Sequence, residues 1–147
     1  MSDTALLRRI YRARTYSFTG ITSDQILTFL GEDGITYSLL DISDVDWNRI
    51  ILDIDVTTLT GTNVIFKLKT SNSRAGTAIT ATTMDAKNGA GTAIVSSTMT
   101  AAGRELVTVA RMDADSGASN IGRLIGVYAD VSSITALVGS ITVFVSP

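Results

Sequence analysis

Six residues near the start of the chain have the types and spacing for a binding contact: Arg8, Arg9, Tyr11, Arg12, Arg14 and Tyr16. An arginine fork makes paired hydrogen bonds to a carboxylate, and a tyrosine ring supplies rigid buried area. The chemistry on offer is the clamping of an acidic protein surface. A solvated terminus is the plain alternative. The first fourteen residues hold those four arginines against Asp3 alone. That is a net +3 on a chain whose total is −2, which leaves −5 for the remainder. A basic arm on an acidic body is the asymmetry of a docking segment. Four arginines give only modest salt-dependent attraction to phosphates, and the overall charge excludes a strongly basic nucleic-acid binder.

The rest of the chain offers little reactive chemistry. It contains no His and no Cys. The commonest general base, the thiol nucleophile and the usual transition-metal ligands are therefore missing. A Ser-His-Asp arrangement is impossible. A two-carboxylate glycosidase is conceivable, but nothing marks a particular pair of acids. The stretch Asp113-Ala114-Asp115-Ser116-Gly117 has the outline of a calcium loop without the third carboxylate and the bidentate Glu. It reads as a turn, and whether Asp113 and Asp115 hold a cation stays open. No Gly-rich loop opens onto a helix to cradle a phosphate. The expectation is a protein that is not an enzyme and takes no cofactor and no metal.

The elements that would position these residues are strands. At 147 residues, with 45% apolar and 18% charged residues, the chain is long enough for one domain with its own core. Glu occurs only at Glu32 and Glu105, and Lys only at Lys67, Lys69 and Lys87. That scarcity disfavours long surface helices. The stretch Asp46–Val56 holds the only Trp and alternates, with Ile50, Leu52, Ile54 and Val56 on one side. Period two means one buried and one wet face, so this is read as the central strand of an antiparallel sandwich. Asn63–Thr70 alternates likewise, with Val64, Phe66 and Leu68 facing one way. If these two strands pair, Asp55 sits opposite Lys67 and Asp53 opposite Lys69.

Gln25–Leu30 and Ile35–Leu40 flank the Glu32-Asp33-Gly34 turn signal and predict a hairpin. The segment Ala75–Ala86 recurs as Ala90–Ala101 with eight of twelve positions matching, which reads as two successive strand-loop units. Further strands are predicted over Arg104–Met112, over Ile121–Asp130 with Gly122 and Gly126 inside it, and over Ser140–Val145. Interior glycines signal a bulge or a close backbone approach. The only proline is Pro147. The expected fold is all-β, an antiparallel β-sandwich of jelly-roll type, with an extended N-terminal arm over residues 1–22 and the sandwich domain over 23–147. No run approaches the ~20 apolar residues of a membrane span, and the start of the chain lacks a secretion-signal core. Synthesis and use without export are expected.

From about Ile50 onward the chain resembles small capsid cement proteins, the head decoration proteins of tailed phages. Val64-Ile65-Phe66-Lys67-Leu68-Lys69-Thr70-Ser71-Asn72 resembles a family strand that ends in a Leu-x-Thr-Ser-Asn/Asp turn. Ala102-Gly103 precedes a strand as the family's Ala-Gly does. Ile121–Tyr128 resembles its Arg-bearing strand, and Thr135–Val145 resembles its closing strand. The resemblance implies a non-enzymatic virion protein, made in the host cytoplasm and placed on the outer capsid surface. There it would bridge major capsid protein subunits, as a homo-oligomer with a trimer favoured. It implies no nucleic-acid and no membrane partner. Arg8, Arg9, Tyr11, Arg12, Arg14 and Tyr16 are then the expected capsid contact. The alternatives are a carbohydrate-binding or adhesin-type sandwich, with Trp47, Tyr37 and Tyr128 as candidate exposed aromatics, and a tail or baseplate module.

Overall fold

The alternation around Ile50 is realised in a long strand whose inward side chains are sealed. In the computed structural model, which describes residues 12–44, 46–71, 84–85, 95–110 and 122–146, the chain forms strands and no helix among the described residues. They are β1 Arg12–Phe18, β2 Gln25–Ile26, β3 Phe29–Leu30, β4 Thr36–Tyr37, β5 Leu40–Asp41, β6 Arg49–Thr60, β7 Asn63–Ser71, β8 Met84–Asp85, β9 Val95–Met99, β10 Gly103–Ala110, β11 Leu124–Ser132 and β12 Ala136–Ser146. One sheet has the order β1-β12-β6-β10. The second has β11 and β7 at its centre, with β2 and β5 along the outer edge of β11 and β8 and β9 along the outer edge of β7. Every pairing is antiparallel. Ile50, Leu52, Ile54 and Val56 from β6 share one core with Val64, Phe66 and Leu68 from β7 and with Val127, Ile141 and Val143. The result is a sandwich-like all-β body.

Several expectations change. β6 and β7 do not pair: β6 lies between β12 and β10, whereas β7 lies in the other sheet. Period two reports which face is buried, not which strand lies alongside. Asp53 accordingly meets Arg104 at 3.3 Å and Lys67 meets Asp130 at 2.9 Å. Trp47 is buried but precedes its strand, which starts at Arg49. β6 also runs past Val56 to Thr60. Its register with β12 shifts so that Val138 faces Thr58 while Gly139 faces Val56. Thr57 is the extra residue, and its hydroxyl donates to the Val138 carbonyl at 3.1 Å. A bulge of this kind puts the following residues out of phase, so Leu59 packs against the core from an odd position.

The hairpin forms only at its tip, where Phe29 pairs with Tyr37 and Leu30 with Thr36. Its legs, β2 and β5, lie along β11 instead. Leu27 N–H donates to the Val127 carbonyl and Ile42 N–H to the Arg123 carbonyl, each at 2.8 Å. β2 and β5 are thus two halves of one edge strand, interrupted by an excursion over residues 28–39. Gly126 sits under the interruption. A Cβ there would lie 2.6 Å from Leu39 Cδ2 and 2.9 Å from the Ser38 carbonyl. This is the close approach that an interior strand glycine signals. The two related segments lie mostly outside the described residues. Their described parts, β8 and β9, both pair with the same edge of β7.

Candidate functional site

The residues expected to form an arm divide at Arg12. Arg8, Arg9 and Tyr11 lie outside the described residues, as do Asp113 and Asp115. From Arg12 the chain is β1, paired with β12 from Arg12↔Val145 to Phe18↔Gly139. Residues 12–18 are therefore an integral strand and not an extended arm. The physical reason is the alternation of Tyr16 and Phe18, both buried, with exposed Thr15 and Ser17. Arg14 is half-buried. Its Nη1 donates to the Ala13 carbonyl at 2.7 Å, and its Nη2 stands 3.8 Å from Glu32 Oε1. Tyr16 is sealed in the core with its ring edge-on to Phe29, centroids 5.1 Å apart. Burial drives its phenol pKa well above the ordinary value, opposed in part by the Arg14 charge. A side chain so placed has no surface to offer a partner.

What the structure does present is the excursion over 28–39, which the sequence reading assigned no binding role. Phe29 anchors it in the core, stacked on Tyr37 at 5.9 Å and edge-on to Tyr16. Gly31 N–H donates to the Ile35 carbonyl at 2.8 Å, and Gly34 N–H to the Gly31 carbonyl at 3.0 Å. Asp33 braces the turn: its carboxylate accepts from Ile35 N–H at 3.0 Å and from the Tyr37 hydroxyl at 2.5 Å. On this frame stand Leu30, 70% exposed, and Ile35, 49% exposed. The third exposed large hydrophobic among the described residues is Leu106, on the edge strand β10. The available signal was the placement of apolar residues on either side of an acidic Gly-bearing turn, where a tight tip has no interior to hide them.

The Asp33 bracing makes the hairpin pH-sensitive. The Tyr37 hydroxyl bond, and then the Ile35 N–H bond, hold the Asp33 carboxyl below its ordinary range. The same bond to Asp33 holds the Tyr37 phenol above its own. Asp33 therefore contributes fully above the ordinary Asp value of about 4, and this is lost as pH falls through its lowered value. Tyr37 contributes fully below about pH 10, lost as pH rises through its raised value. Tyr37→Phe removes the donor. Hydrogen exchange at the Gly31 and Ile35 amides should quicken while the melting temperature stays put. Unchanged protection would show that the bond does not brace the turn.

Among the described residues no group of three or more His, Cys, Asp or Glu side chains is placed to hold a metal ion. The aromatics considered for a glycan platform are otherwise engaged: Trp47 is buried, Tyr37 is bonded to Asp33, and the Lys69 ammonium stands over the Tyr128 ring at 4.8 Å. No protein-family model matches the chain, and no curated protein sequence is significantly similar to it.

Proposed function

We propose that the protein is a jelly-roll structural component of a virion, a cement or decoration protein that binds the outer face of a capsid and ties neighbouring major capsid subunits together. The observation that supports this reading is the order of the strands. Counting β2 with β5 as one strand and β8 with β9 as another leaves eight in chain order: β1, β2/β5, β6, β7, β8/β9, β10, β11 and β12. First pairs with eighth, second with seventh, third with sixth and fourth with fifth. The eighth also pairs with the third, and the seventh with the fourth. A long antiparallel ribbon rolled once upon itself gives this order, the double Greek key of jelly rolls found in viral capsid and lectin domains. The step from fold to capsid is by analogy and by the sequence resemblance.

A cement body must resist deformation and carry contacts, and it needs no reactive centre. Long central strands with sealed inner faces meet the first demand. A shell clipped at many sites is stabilised by mass action. The test is co-sedimentation with tailed-phage heads built of the cognate major capsid protein. Saturable binding, and heads that withstand a higher temperature with the protein bound, are expected. Absence of binding at micromolar protein would overturn the reading.

A further inference from the structure

The excursion over residues 28–39 is not needed to complete its sheet. Leu27 lies opposite Val127 and Leu40 opposite Ile125, so a single residue facing Gly126 would join β2 to β5. In place of that residue the chain builds a braced hairpin and sets two aliphatic side chains in water. Exposed apolar groups on a rigid projection mark a binding anchor. The tip is acidic as well. The Glu32 side chain is 93% exposed, and Asp33, held ionised by its donors, keeps acceptor capacity on two oxygens. The hairpin therefore fits a partner that offers aliphatic side chains next to guanidinium or ammonium groups.

That chemistry is written in the chain itself. Residues 1–11 carry Leu6, Leu7 and Ile10 interleaved with Arg8 and Arg9. Three aliphatic groups and two cations answer the two aliphatic groups and two carboxylates of the hairpin. The place where this segment enters the fold is fixed. β1 begins at Arg12, Arg14 faces Glu32, and Tyr16 packs on Phe29. The sequence from Ala5 to Arg14 holds no Gly, Pro or Asn, the residues that most favour a tight turn back onto the hairpin of the same copy. The geometry points to residues 1–11 of a second copy as the occupant of the hairpin. Each copy gives a segment and receives one, so the contact is satisfied either reciprocally across a two-fold axis or head-to-tail. Head-to-tail contacts close into small rings when the rotation permits. This inference goes beyond the capsid reading and does not need it. It moves Arg8 and Arg9 from the shell to the neighbouring subunit.

The test uses two variants, each lacking one half of the contact. One is the chain without residues 1–11, which leaves β1 whole. The other is Leu30→Ser with Ile35→Ser, both exposed positions, so its melting temperature should match that of the full chain. Masses are read by size-exclusion chromatography with light scattering. The full chain should be an oligomer that weakens on the order of tenfold between 0.1 and 0.5 M salt, because the arginine contacts are screened. Each variant alone should be monomeric. Their equimolar mixture should form a 1:1 complex, since one supplies the intact hairpin and the other the intact segment. A monomeric full chain would overturn the inference, as would variants that stay oligomeric. A mixture that does not combine would also overturn it, because the contact would then lie within one chain or face another protein. Failure of capsid co-sedimentation is read separately and leaves these outcomes untouched.

Discussion

Tyr16→Ala lowers the free energy of unfolding by about 3–5 kcal/mol, the range for emptying an aromatic-sized site in a sealed core. Tyr16 has no exposed surface, its ring meets Phe29 edge-on, and its hydroxyl lies 3.5 Å from the Ser38 carbonyl. That bond is long, so Tyr16→Phe should cost no more than about 1 kcal/mol. Urea unfolding of the two variants measures both terms. The pair separates two pictures of the start of the chain. If residues 12–18 were an exposed arm, both substitutions would be close to neutral. If they are β1, the ring carries the cost and the hydroxyl little of it. The practical consequence is that a truncation meant to remove the basic segment must stop at residue 11. Removing residues 1–20 would take out Tyr16 and Phe18, and with them the partners of Phe29 and Phe66. Loss of capsid binding would then report unfolding.

The parts of the fold legible in the sequence were those set by local alternation. Ile50, Leu52, Ile54 and Val56 in β6, and Val64, Phe66 and Leu68 in β7, were placed on buried faces by period two alone, and all are sealed. Partner choice was not legible, because Asp55 opposite Lys67 and Asp55 opposite Arg104, as found, satisfy the same alternation. Only long-range topology decides between them. β1 was hidden by composition. Arg14 interrupts the apolar series of Tyr16 and Phe18, and a half-buried arginine in a core-side register reads in sequence as an arm. The candidate site followed the same rule. The Glu32-Asp33-Gly34 turn was visible. That its two legs are one interrupted edge strand depends on β11, roughly a hundred residues away along the chain, and no local pattern carries that.

Gly139→Ala should be at least as damaging as a core truncation of moderate size, costing about 3 kcal/mol or more and lowering the melting temperature on the order of 10 °C. Gly139 lies in β12, paired with β1 on one side and β6 on the other. A Cβ at this position would stand 2.3 Å from the Asp55 carbonyl oxygen and 2.9 Å from Val56 Cα. Both are backbone atoms of the central strand, so no side chain can swing away. Relief would require β6 and β12 to part beside the bulge, where the register has already slipped by one residue at Thr57. Gly103→Ala is the matched control. It adds the same methyl to edge strand β10, where the nearest atom is Met99 Cε at 3.9 Å, an ordinary contact. Its effect should stay within about 0.5 kcal/mol. Differential scanning calorimetry of the two variants compares one methyl in two places. Equal effects would mean that the cost is the strand's general response to losing a glycine. A large difference would locate it in the approach of β12 to β6. The bulge at Thr57 also brings Leu59 onto the core after the period-two series ends at Val56, so the glycine that admits it determines how the far end of the sandwich is filled.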